Sequence, residues 1–165
     1  MQKIAIQALT SKAFAPFGEV IQSSGSAHYP INNSTFERHH ALGKVNLECS
    51  SEVHPVISIF KCNQASALPY SVHLMEKHPQ GSQAIIPWSQ VPFIIAVARD
   101  DAAMQSREIF VFESNGKQGI NIGAGIWHMP LIAPTIGLEF LVVDREGPGQ
   151  NCVELILDPP LLIDH

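Results

Sequence analysis

Apolar residues in this chain come in short bursts cut off by turn-forming ones. The runs "VISIF" (56–60), "QAIIPW" (83–88), "PFIIAVA" (92–98), "IFVF" (109–112), "QGINI" (118–122) and "LEFLVVD" (138–144) are separated by Pro, Gly, Asn or Asp. Runs of this length, rich in Val, Ile and Phe, read as β-strands. One segment reads differently. In "TSKAFAPFGEVI" Thr10 can cap a short helix, Ala13, Phe14 and Phe17 give it an apolar side, and Gly18 ends it. Between two of the strand-like runs, Asn115-Gly116 carries the signal of a hairpin turn. Many short strands with little helix predict an all-β barrel with a few short helices. Side chains on barrel strands alternate in and out, so residues two apart can meet in one interior cavity.

One polar stretch breaks the pattern. "HLMEKHPQGSQAIIP" (73–87) gathers His73, Glu76, Lys77, His78 and Gln83 directly before an apolar segment. Read with the two-residue period of a strand, Glu76 and His78 share one face, and His73 and Lys77 share the other. Pro79 and Gly81 then bend the chain before Gln83 opens the next strand. Glu-x-His with a Gln further on has the spacing of a barrel metal motif, His-x-His with a downstream Glu. Glu76 stands in place of the first His and Gln83 in place of the Glu. The second half of such a motif is Gly-x-x-His, and "GIWH" supplies Gly125 and His128. Glu76, His78, Gln83 and His128 are therefore candidate ligands. Imidazole and carboxylate suit nickel, zinc, copper or iron, whereas an amide oxygen is a weaker donor. Three strong ligands leave positions open for a substrate. The competing reading is a set of ordinary polar residues at a strand end.

Other segments carry their own alternatives. "INNSTFERHH" (31–40) reads as a polar loop entering a strand. It also reads as a binding loop in which Asn32 and Arg38 hold a carboxylate, an anion that an Arg fork fits. Trp127 is expected to pack and fix its neighbour His128. Lys77 is expected to serve structure or surface, and Asp144 and Arg145 to pair with each other. "DREGPGQNC" (144–152) reads as a Gly-rich turn whose glycines are wrongly placed for a phosphate loop. His28 and His54 lie beside turn-forming residues and carry no signal.

Composition narrows the classes. With 165 residues, 45% hydrophobic and 15% charged, residues 1–165 are expected to form one domain with its own core rather than a disordered chain. A net charge of −5, with no stripe of Lys and Arg, argues against nucleic acid as partner. No window approaches the apolar length of a membrane span. The N-terminus lacks the apolar stretch of a secretory leader. Cys49, Cys62 and Cys152 are widely spaced and odd in number, which suits a reducing cytoplasm better than a disulfide frame. The expected partner is a small molecule.

Four blocks then fall into a known order. "INN" with "ER" and a following His, "MEKHPQGSQAIIP", "NGKQGINIGAGIWHMPL" and "FLVVDREGPGQNC" resemble successive blocks of the ureidoglycolate lyases, enzymes of allantoin breakdown also called ureidoglycolate hydrolases. The resemblance runs from residue 10 to about residue 155. It implies a cupin-like β-barrel, a homodimer, and cleavage of (S)-ureidoglycolate to glyoxylate and urea. It also implies a divalent metal, commonly nickel. On that reading Glu76, His78 and His128 are the catalytic candidates, and Asn32, Arg38 and Gln83 bind substrate. His78, His128, Glu76 and Gln83 would hold the metal. The chain departs from the usual blocks at Lys77, where Arg is usual, at Met129, where a second His often follows, and at Ser34, where Gly often follows the Asn pair. Lys77 removes a bidentate grip on a carboxylate, and Met129 removes a proton carrier. The alternatives are an amidohydrolase releasing ammonia from the same substrate and a non-catalytic barrel that binds small acids.

Overall fold

The computed structural model describes residues 3–99 and 108–164. In chain order the elements are β1 (Lys3–Ala8), α1 (Ser11–Phe14), β2 (Gly18–Ile21), β3 (Tyr29–Ile31), β4 (Phe36–Arg38), β5 (His54–Lys61), β6 (Tyr70–Lys77) and β7 (Gln83–Pro87). They continue with β8 (Ile94–Ala98), β9 (Ile109–Glu113), β10 (Gly119–Ile122), β11 (Trp127–His128), β12 (Glu139–Glu146) and β13 (Val153–Asp164). Each of the six apolar bursts is a strand. Among the described residues α1 is the one α-helix, where a few were expected. Thr10 caps it as anticipated, its hydroxyl accepting from the amide of Ala13 at 3.2 Å. Gly18 does not end this helix, which stops at Phe14. It opens β2 at a φ of +151°, where an added Cβ would lie 1.9 Å from the carbonyl oxygen of Asn121.

Two sheets and a hairpin account for the strands. Six strands close into a barrel in the order β1-β13-β6-β11-β8-β9, with β1 running parallel to both β13 and β9. The second sheet has five strands in the order β2-β10-β7-β12-β5, and β3 and β4 form a separate two-stranded sheet. Period-two alternation then makes two cores. One fills the closed barrel with Val72, Met75, Ala96, Val111, Trp127, Leu161 and their neighbours. The other lies between the barrel and the second sheet, joining Ile95, Val97 and Phe112 to Ile85, Ile120, Ile122 and Phe140. Such a sheet-on-sheet layer and a filled small barrel are the two usual ways to bury a strand face.

Two local expectations are corrected. The Asn115-Gly116 turn exists, but it does not join a hairpin, because β9 pairs with β8 and β1 while β10 pairs with β2 and β7. The turn carries the chain from one sheet to the other, and side chains hold it in place of a ladder. Lys117 N donates to Asn115 Oδ1 at 2.9 Å and Asn115 N to Gln118 Oε1 at 3.0 Å. Nor do Asp144 and Arg145 pair, since neighbours on a strand face opposite sides. Arg145 donates to the carbonyl of Pro148 at 2.6 Å and lies 3.8 Å from Glu48, while Asp144 accepts from Gln83.

Candidate active site and metal centre

The β6 strand places Glu76 between two partners: it pairs with His128 of β11 on one side and with Glu154 of β13 on the other. His128 also pairs with Val97, a residue of the core between the sheets, whereas Trp127 pairs with Ala98 in the barrel core. Directly opposed residues point to the same face. Glu76 and His128 therefore point toward the second sheet and Trp127 into the barrel, where it packs as expected at 6% exposure. Lys77, one residue on from Glu76, lies with its ammonium 4.8 Å from the Trp127 ring, a structural use in keeping with its expected role. His78 follows the strand and is anchored through its carbonyl, which accepts from Gly125 N at 2.8 Å.

Hydrogen bonds settle which ring nitrogens face the site. His78 Nδ1 lies 2.7 Å from the carbonyl of Asn151, and His128 Nδ1 lies 3.0 Å from that of Ile126. A carbonyl only accepts, so both Nδ1 atoms carry a proton and both Nε2 atoms are the ones that face the site. These two Nε2 atoms are buried without a hydrogen-bond partner. The rings stand 5.1 Å apart, and His128 Nε2 is 3.5 Å from Glu76 Oε1. One ligand atom from each of Glu76, His78 and His128 lies within 4.8 Å of the others. Two imidazole Nε2 atoms without a hydrogen-bond partner, beside a carboxylate, are a donor set that fits a divalent cation once the rings are neutral, with the backbone carbonyls fixing the rings. His128 beside it holds the Glu76 carboxyl below its ordinary range, helped by His78 and the Cys152 thiol and opposed by burial.

A cavity of about 250 Å³ opens on this cluster, lined by Glu76, His128 and Gln83 together with Ile85, Met129 and Phe140. It lies between the two sheets rather than inside the closed barrel, whose interior is filled by apolar side chains. Gln83 opens β7 and is buried, and its amide nitrogen donates to Asp144 Oδ2 at 3.3 Å, which leaves Oε1 as the atom for a ligand. Met129, where a second His was a usual alternative, contributes apolar wall.

The remaining sequence candidates stand elsewhere. Asn32 and Arg38 are exposed on the β3–β4 hairpin, and neither lines this cavity. The turn between the strands is strained, with Asn32, Asn33 and Ser34 at φ of 50°, 54° and 65°. Two contributors came unannounced from "DREGPGQNC", read only as a turn. Asn151 supplies the carbonyl that orients His78 and a side chain that accepts from Gln80 N at 2.9 Å. Cys152 Sγ donates to Glu76 Oε2 at 3.9 Å. The signal that could have found them is position: they immediately precede β13, which pairs with β6.

Comparison with known proteins adds the family. A family model described as ureidoglycolate lyase matches residues 1–164. The ureidoglycolate lyase of Pseudomonas savastanoi pv. phaseolicola is 43% identical over 167 residues, covering 96% of this chain and 97% of that protein. That of Azotobacter vinelandii is 42% identical over 154 residues, covering 93% and 92%. The Pseudomonas fluorescens protein of the same name is 44% identical over 154 residues, covering 93% and 91%.

Proposed function

The chain belongs to the ureidoglycolate lyase family, and from that premise we propose that it cleaves ureidoglycolate to glyoxylate and urea at the cluster of Glu76, His78 and His128. The observation that carries the reading is the pair of buried Nε2 atoms without a hydrogen-bond partner gathered around one carboxylate, with Glu76 and His128 lining the cavity. In ureidoglycolate one carbon bears a hydroxyl, a carboxylate and a urea nitrogen. Cleavage removes the hydroxyl proton, turns the C–O bond into a carbonyl, and breaks the C–N bond with its electron pair leaving on nitrogen. That nitrogen then takes a proton, so the sum is glyoxylate and urea.

Glu76 suits the proton transfers. Its lowered pKa keeps it ionised and ready to accept the hydroxyl proton near neutral pH, and makes its protonated form willing to give that proton to the urea nitrogen. Both atoms sit on the same carbon, so one carboxylate can serve both. Gln83 offers its amide oxygen to the substrate's donors. We assign the substrate carboxylate to Arg38 and Asn32 of the exposed hairpin, delivered from a neighbouring copy in a homodimer. His78 and His128, with Glu76 and Gln83, would hold a divalent ion, nickel in our reading. When bound it supplies positive charge for the carboxylate and lowers the hydroxyl pKa.

The homodimer is supported by an apolar outer face on the second sheet, and residues 1–165 would form one domain of it. No helix among the described residues is long and apolar enough to cross a membrane. The three free thiols suit the cytoplasm.

The test is an assay of the purified protein with ureidoglycolate, measuring glyoxylate, urea and ammonia separately. Urea formed in step with glyoxylate is expected, with loss on chelation and recovery with nickel. Ammonia as the main nitrogen product would assign an amidohydrolase instead.

A further inference from the structure

We propose a second divalent-metal site, of zinc or nickel type, at the base of the β3–β4 hairpin, formed by His28, Glu37 and His39. Tyr29 pairs with Arg38 and Pro30 with Glu37, so one step further along the ladder His28 comes opposite His39. Glu37 lies two residues before His39, on the same face by the strand period. All three side chains thus meet on one side of the hairpin. His28 Nε2 lies 3.7 Å from Glu37 Oε1, and His39 Nε2 lies 3.8 Å from Glu37 Oε2. The rings are 5.1 Å apart, and one ligand atom from each residue falls within 4.8 Å of the others. A tetrahedral site with bonds of about 2.0 Å has edges of about 3.3 Å, so closing the cluster on an ion needs shifts of up to about 1.5 Å, within the reach of side chains at the surface.

The second observation is the orientation of the rings. Ser26 Oγ gives its one proton to the carbonyl of Ser23 at 2.8 Å. It therefore accepts at 2.7 Å from His39 Nδ1, which places a proton there and turns Nε2 toward Glu37. His28 Nδ1 lies 3.5 Å from the carbonyl of Ser26, a longer contact that points the same way. Both imidazoles thus turn Nε2 toward one carboxylate, with outer partners of the kind that orient metal-bound histidines. With both rings neutral, three acceptors face one another, and a cation is the group that satisfies them. Two imidazoles and one carboxylate select a first-row transition ion over magnesium or calcium and leave a position for water. The consequence is mechanical. Strands this short make a marginal hairpin, and an ion joining the two strands at their base would staple the segment that carries Asn32 and Arg38.

The site is separate from the cavity cluster, and the test keeps the two apart. Zinc binding by the full-length protein at neutral pH would be read by competition with a chromophoric chelator. The proteins are wild type, Glu37→Gln, the double variant His28→Ala/His39→Ala, and His78→Ala/His128→Ala. Wild type should bind one equivalent more than the hairpin double variant, and the cavity variant should retain that equivalent. Glu37→Gln, which alters an exposed side chain and leaves the fold alone, should weaken it by about tenfold or more. Equal zinc capacity in wild type and the hairpin double variant overturns the proposal and leaves a proton-bridged cluster in its place. Unchanged affinity in Glu37→Gln also counts against it.

Discussion

The Glu76 carboxylate is held between an imidazole and a thiol, with Oε1 3.5 Å from His128 Nε2 and Oε2 3.9 Å from Cys152 Sγ. The influence runs both ways. Partial burial, then the charges of Glu76 and Glu154, push the Cys152 thiol above its ordinary value, so it stays a donor to Glu76. Because the thiolate is the reacting form, Cys152 should alkylate more slowly than Cys49 at mildly alkaline pH although both are exposed. Glu76→Gln removes one of the charges and should move the Cys152 rate profile to lower pH. Iodoacetamide labelling read by peptide mass spectrometry checks both; an unchanged profile in the variant would mean the two groups do not interact. For activity, His78→Ala and His128→Ala should each lower kcat/KM for glyoxylate release by about 10²-fold or more, with the overall fold retained by circular dichroism. Much of this cluster was legible in the sequence, because the spacing of Glu76 and His78 and the Gly-x-x-His at His128 are local patterns. Asn151 and Cys152 were not, because their reach to His78 and Glu76 depends on a strand pairing that spans most of the second half of the chain.

Elements that bury two faces wrote themselves plainly into the chain, and elements that do not were hidden. β8 reads "IIAVA" and is buried at every position, since one face meets the barrel core and the other the core between the sheets. By contrast, β13 alternates with charged residues and contains Pro159 and Pro160, which argue against a strand. The prolines are tolerated because the register with β6 shifts between Ile156 and Leu161, where the ladder is interrupted. The Asn-Gly signal was right about a turn and wrong about a hairpin, since a turn fixes direction locally and sheet membership is decided by packing. Gly18 shows the same division: the sequence read it as a helix stop, whereas the close approach of β10 dictates it. Gly18→Ala would put a methyl against the Asn121 carbonyl in a backbone conformation that alanine resists. We expect a loss of about 1–3 kcal/mol in urea unfolding, with the slope unchanged. A stability equal to wild type would mean that β2 and β10 separate at little cost.

At the scale of the whole molecule, the second sheet has two apolar faces and only one of them is covered by the barrel. On the inner face Phe60, Phe140 and Pro87 lie in register across β5, β12 and β7. On the outer face Ile59, Leu141 and Ile86 do the same, followed by Ile57, Val143 and Ala84. Ile57 is 75% exposed, Ile59 50%, and Trp88 just beyond β7 71%. The sheet also ends at β5, whose outer edge has no strand beside it among the described residues. An exposed apolar stripe running to an open edge is a surface that water disfavours and that proteins normally cover. In the proposed homodimer a second copy would cover it by symmetry, the same stripe meeting itself about a two-fold axis. The double variant Ile57→Lys/Ile59→Lys places two like charges at the centre of that contact while leaving both cores untouched. Light scattering after size exclusion should give a dimer for wild type and a monomer for the variant, with the same far-ultraviolet spectrum. A wild-type monomer would overturn the dimer, and a variant that remains a dimer would move the interface off this sheet. The result bears on catalysis as well, because the anchoring role given to Arg38 and Asn32 needs a neighbouring copy. The monomeric variant should bind ureidoglycolate with a raised KM and keep the cluster of Glu76, His78 and His128 intact.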